Sequence, residues 1–188
     1  MPSYTARMEH NKETITRLSV TQYSIFEFGK KLIRIVTALG LIIYGLYADQ
    51  SMVTPMICLI VGCMLIANFN LRAKVRAGKI IEQINGNFPK SKYSFFDDSF
   101  TDCGDGKPIP YSRLIKLVED RQYMYLFISR MSAYMVDKST VGGSTVDDLK
   151  SYLTRKTGME WVRPVSFFNF SIRSLINRSD RYEGPRLK

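Results

Sequence analysis

Two long apolar runs, 32–48 and 52–71, separated only by Asp49-Gln50-Ser51, constrain this chain more than any other feature. The second run contains no charged residue, and about 20 such residues are what a membrane-spanning helix needs. The first carries Arg34 one turn inside its start and gives about 25 Å of helix at about 1.5 Å per residue. Arg34 can lead its guanidinium back toward headgroups beside Lys30 and Lys31. Both faces of both runs are apolar, so a water-exposed helical hairpin would have no solvated side. The pattern predicts an antiparallel transmembrane hairpin.

Flanking charge sets the expected orientation. Lys30, Lys31 and Arg34 open the first run, Arg72, Lys74, Arg76 and Lys79 follow the second, and the connecting turn has no Lys or Arg. The positive-inside rule then places both termini in the cytoplasm. The expected membrane-interface residues are Lys30, Lys31, Arg34, Arg72, Lys74 and Arg76, joined by Phe167, Phe168, Arg173 and Arg178 in a basic aromatic tail. Twenty-seven Lys and Arg against seventeen Asp and Glu give a formal charge of +10. Those cations crowd the apolar flanks and the C-terminal end, which favours an anionic membrane surface over nucleic acid.

Downstream, Ala73, Ala77, Ile80, Ile81 and Ile84 form an apolar stripe that prolongs the second helix until Asn85-Gly86-Asn87 and Pro89 stop it. Short strands follow over 93–96, 99–103, 107–110, 114–119, 123–129 and 133–136, punctuated by Asp97-Asp98 and Gly104-Asp105-Gly106. One amphipathic helix comes next. Ser144 or Thr145 caps it, Asp147 and Asp148 suit its positive end, Val146, Leu149, Tyr152 and Leu153 make its buried stripe, and Gly158 ends it. Ahead of the hairpin, residues 14–19 are compatible with an added strand, followed by Tyr23, Phe26 and Phe28 at the interface.

The expected fold is an α+β membrane protein. A two-helix transmembrane hairpin precedes an antiparallel sheet or partial barrel of pleckstrin-homology-like type, closed by one C-terminal α-helix. The corresponding divisions are an N-terminal cytosolic or interfacial segment (1–31), the hairpin (32–71), a helical extension and linker (72–91), the β-rich domain (92–160) and the basic tail (161–188).

The wording of four segments, Tyr93-Ser94-Phe95-Phe96-Asp97-Asp98, then 109–119, 123–128 and Ala133-Tyr134-Met135-Val136-Asp137-Lys138, resembles the YcxB-like family of bacterial membrane proteins. Asp137 stands where relatives often carry a proline. The resemblance implies a multi-pass protein of the bacterial cell membrane with a pleckstrin-homology-like cytosolic domain, and it brings no catalytic residues.

Chemistry-bearing residues are sparse. His10 is the only histidine and lies in no catalytic pattern, while Asp97, Asp98, Asp102 and Asp105 surround hairpin turns without EF-hand spacing. Cys58, Cys63 and Cys103 show neither a disulfide framework nor metal-ligand spacing. Gly142-Gly143 reads as a strand-to-helix turn, since no GK[ST] ending follows. No catalytic, cofactor or metal residue is expected.

The function expected from sequence is a membrane-anchored, non-enzymatic interaction module. Its partners would be the bilayer and an unidentified protein or anionic lipid, with homo-oligomerisation possible and no nucleic acid. The alternative is an oligomeric transporter or channel subunit, with Gly40, Gly45, Cys58 and Gly62 permitting close helix packing.

Overall fold

The computed structural model describes residues 3–47, 53–68, 70–103 and 106–164. Strand β1 (Tyr4–Glu9) opens the chain and is followed by helices α1 (Lys12–Phe26), α2 (Phe28–Tyr47), α3 (Val53–Ala67) and α4 (Leu71–Ile84). Strands β2 (Lys90–Phe95), β3 (Ser99–Asp102), β4 (Pro108–Pro110), β5 (Lys116–Glu119), β6 (Tyr123–Phe127) and β7 (Ala133–Asp137) come next, then α5 (Val146–Thr157) and β8 (Trp161–Val162).

The strands form two open four-stranded sheets, in the orders β1-β2-β3-β4 and β7-β6-β5-β8. All pairings are antiparallel except β5 with β8, where Leu117 lies opposite Trp161. This corrects the expected partial barrel. At the end of β7 the Asp137 carboxylate accepts from the Ser139 N–H at 2.9 Å and turns the chain before a ladder to β1 can form. Between the two sheets run an isolated bridge, Thr5 to Gly142, and a bond from the Arg7 N–H to the Thr140 hydroxyl at 2.9 Å.

One apolar core lies between the sheets and α5. Tyr93, Phe95, Phe100, Leu117, Leu126, Phe127, Met135 and Leu149 are buried in it; β2 contributes alternate residues, whereas β6 is buried along its whole length. Helix α5 presents Leu149, Tyr152 and Leu153, spaced three and four apart, to this core. It starts in a capping box between Thr145 and Asp148 and ends at Gly158, whose φ of 66° is a left-handed conformation that glycine adopts without steric cost.

Residues 14–19 are helical, not a strand. Asn11 and Thr14 form a capping box, with the Thr14 N–H donating to Asn11 Oδ1 at 2.9 Å and the Asn11 N–H to Thr14 Oγ1 at 2.8 Å. Those two bonds satisfy orphan donors at a helix start and commit the β-branched stretch to α1. The added strand comes instead from residues 4–9, paired with β2 so that Tyr4 faces Phe95 and Glu9 faces Lys90.

Helices α2 and α3 pack against each other, and glycines set the approach. A Cβ on Gly62 would lie 2.7 Å from Ile42 Cγ1 and 2.9 Å from the Ala38 carbonyl oxygen; one on Gly45 would meet Leu59 and the Pro55 carbonyl at 2.8 Å. Gly40 faces open space. The outer faces, including Ile33, Val36, Ile43, Met56, Ile60 and Met64, are exposed.

The expectation of two transmembrane helices is contradicted. No single helix among the described residues is long and apolar enough to cross a membrane. Helix α2 has Lys30, Lys31 and Arg34 in its first two turns, and the 15 residues of α3 give about 22 Å against a hydrocarbon core of about 30 Å. Helices α3 and α4 pass together on length and composition, but the axis bends by 46° between them. At that break the Asn68 side-chain amide donates to the Met64 carbonyl at 3.0 Å, a local bond that competes with continuation of the helix. The two-span hairpin, the multi-pass cell-membrane location with cytoplasmic termini, the bilayer and anionic-lipid partners and the transporter or channel alternative all depended on those spans, and they fall with them.

Candidate functional site: a basic cleft between α1 and α4

Helix α1 lays Ser19, Gln22, Tyr23 and Phe26 along one face, at spacings of three and four residues. Opposite stands α4, where Ala73 and Ala77 are almost fully buried and their small side chains let the two helices approach. A cleft of about 330 Å³ remains between them, bounded also by Glu27 and Lys30 and by Arg130 and Met131 from the β6–β7 turn.

Four cations, Lys30, Arg72, Arg76 and Arg130, line this cleft against one carboxylate, Glu27. Lys30 and Glu27 pair at 3.1 Å. Arg76 Nη1 lies 3.3 Å from the Met131 sulfur, and the Gln22 amide donates to the Arg130 carbonyl, which ties the β6–β7 turn to α1. The Tyr23 hydroxyl is buried with no hydrogen-bond partner among the described residues. Phe26, Ala73 and Met131 add apolar surface beside the charges.

Of the residues expected at a membrane interface, the structure brings Lys30, Arg72 and Arg76 together in this cleft. Arg34 shares a shallower pocket with Arg72, Val61, Met64 and Asn68. Lys74 is exposed outside both. Lys31 is buried and donates to Ser24 Oγ at 3.2 Å, and burial lowers its pKa. Phe167, Phe168, Arg173 and Arg178 lie outside the described residues. Sequence reasoning missed Tyr23 as a cleft residue and Arg130 altogether. The helical spacing of Ser19, Gln22, Tyr23 and Phe26 carried the signal for α1, whereas nothing local marks Arg130 as facing a helix more than a hundred residues earlier.

A second charged centre sits across the β-rich part. Glu119, 4 % exposed at the end of β5, accepts from Lys138 Nζ at 2.7 Å, from Lys150 Nζ at 3.1 Å and from Arg163 Nε at 3.2 Å. Burial would raise its pKa, but the Lys138 and Lys150 hydrogen bonds and charges hold it down at about 2. The centre gathers β5, the turn after β7, α5 and the chain after β8 onto one carboxylate. Its cations are already committed, so it joins elements and offers no open site.

Among the described residues no group of three His, Cys, Asp or Glu side chains is placed to hold a metal ion. His10 is set against β3, where burial lowers its pKa; Cys103 is exposed and Cys58 and Cys63 lie along α3.

No family model matches this chain, and no curated protein or solved structure matches it.

The resemblance to the YcxB-like family, carried by short segments of common residues, is therefore not sustained. With two open sheets in place of a pleckstrin-homology-like barrel, the fold and location it implied are corrected as well.

Proposed function

We propose that this chain is a non-enzymatic interaction module that binds an acidic segment of a partner protein in the cleft between α1 and α4. The observation that carries the reading is the imbalance in the cleft: Lys30, Arg72, Arg76 and Arg130 face a single carboxylate, and Lys30 alone is paired with it. Arginine is suited to such a role because its guanidinium presents five donors in a rigid fork that matches carboxylate geometry. The net charge of +10 adds long-range attraction for an acidic partner. The titratable residues that line the cleft are four cations, a tyrosine and a glutamate paired with Lys30, a set suited to holding an anion.

The test is fluorescence anisotropy of a labelled Asp- and Glu-rich peptide titrated with the full chain. Binding that weakens with salt and falls roughly tenfold or more in an Arg72→Gln/Arg130→Gln variant supports the reading, at about 1.5–3 kcal/mol for each charge-assisted hydrogen bond lost. Equal affinity of the two proteins would refute it.

A further inference from the structure

Tyr23 gives the cleft a property that a solvated basic patch lacks. The residue is only 7 % exposed and lines the cleft, and its hydroxyl oxygen is buried with no hydrogen-bond partner among the described residues. A buried phenol O–H left unpaired is costly, and such groups are uncommon in folded proteins unless something outside the chain completes them.

We propose that the cleft between α1 and α4 holds a phosphate monoester on a side chain of the partner peptide, the Tyr23 hydroxyl donating to a phosphoryl oxygen and Arg72 and Arg130 supplying the charge. The inference rests on the acidic-segment reading above and names the group that the segment presents. Three observations support it. Four cations less one carboxylate leave an excess of three positive charges, which a phosphate carrying about −1.5 to −2 offsets better than a single carboxylate does. Among the described residues the guanidinium groups of Arg72 and Arg130 make no hydrogen bond or ion pair, and a tetrahedral phosphate has three oxygens to receive two such forks and one phenol donor. The volume of about 330 Å³ lies at the small end of ligand sites and suits one side chain, with Phe26 and Met131 lying beside the group that carries the phosphate. An aromatic ring is the best fit to that wall, so phosphotyrosine is the probe of choice.

The full chain is titrated calorimetrically with three versions of one acidic peptide, containing phosphotyrosine, glutamate or tyrosine at the central position. The phosphorylated peptide is expected to bind roughly tenfold more tightly than the glutamate form, with inorganic phosphate competing at high concentration. Tyr23→Phe is expected to remove most of that preference while circular dichroism shows the same fold, and Arg72→Gln or Arg130→Gln to weaken the phosphorylated peptide roughly tenfold. Equal affinity for the phosphorylated and glutamate peptides would overturn the phosphate assignment and leave the acidic-segment reading standing; no binding of any peptide would overturn both. Displacement of the phosphopeptide by vesicles with phosphorylated headgroups, and not by inorganic phosphate, would overturn the peptide as the source of the group.

Discussion

Lys138 Nζ lies 2.7 Å from Glu119 Oε2, and this pair joins the end of β5 to the turn that ends β7. The Glu119 side chain is 6 % exposed and that of Lys138 19 %, so the contact is formed largely out of water. Removing one partner from such a pair leaves a charge without compensation, and the loss exceeds the value of the intact bridge. Glu119→Gln is expected to destabilise the fold by about 3 kcal/mol, measured by urea unfolding of the full chain. Lys150→Met, which leaves Lys138 and Arg163 on the carboxylate, is expected to cost less.

The same residue fixes an acid transition. Glu119 is held at about 2 in the fold against an ordinary value of 4.5. A carboxylate with a depressed folded-state pKa contributes stability that is fully present above its unfolded value and is lost as pH falls through the folded one. The native chain is expected to lose on the order of 2–3 kcal/mol between about pH 4.5 and pH 2. In Glu119→Gln that part of the pH dependence disappears, which unfolding midpoints measured across the range will show.

Two tyrosines share one acceptor. Tyr111 and Tyr152 donate their hydroxyls to the Phe96 carbonyl at 2.8 and 2.6 Å, binding the β2–β3 turn to the segment after β4 and to α5. Either bond alone keeps the carbonyl satisfied. Each single Tyr→Phe change is expected to cost about 1 kcal/mol, and the double change more than the sum, because only then is a partly buried acceptor left without either donor. A double-mutant cycle on unfolding free energies measures the excess.

Glycines in the helical pair separate packing from propensity. Alanine is better than glycine in a helix interior by about 1 kcal/mol. Gly40 faces open space, so Gly40→Ala is expected to stabilise by up to that amount. At Gly62 the new Cβ would sit 2.7 Å from Ile42 and 2.9 Å from the Ala38 backbone oxygen, and Gly62→Ala is expected to destabilise by about 1–3 kcal/mol. Thermal unfolding of the two variants will show shifts of opposite sign.

In the cleft, Tyr23→Phe removes a hydroxyl that has no partner within the described residues. Its expected effect on the unliganded chain is a gain of up to about 1 kcal/mol. A loss of stability would mean that the hydroxyl is already satisfied in the free protein.

The sequence made strands β2 to β7 legible because local chemistry decides them, whereas β8 fell within the stretch expected to be a basic tail. Asp97-Asp98 separates β2 from β3, the continuous run at 123–127 is the buried central strand β6, and the Thr145 cap and Gly158 bound α5 within a residue. It misled where one composition suits two environments. The apolar runs at 32–48 and 52–71 read as hydrocarbon spans, yet Lys30, Lys31 and Arg34 are part of α2 itself and the axis bends by 46° after α3. Residues 14–19 have the β-branched composition of a strand, and the two reciprocal bonds between Asn11 and Thr14 override it. The candidate site was half visible. Lys30, Arg72 and Arg76 stood out as flanking cations, while their convergence with Tyr23 and Arg130 depends on α1 packing on α4 and on the Gln22 bond to the β6–β7 turn, long-range contacts that leave no local trace.

Mapping where an acidic peptide settles tests the cleft most directly. Backbone amide hydrogen exchange of the full chain, with and without saturating peptide, is expected to show added protection at residues 19–30, 72–76 and 130–131, and none around Lys150 and Trp161. Protection confined to the Glu119 side of the molecule, or to the exposed faces of α2 and α3, would contradict the assignment of the cleft as the binding site.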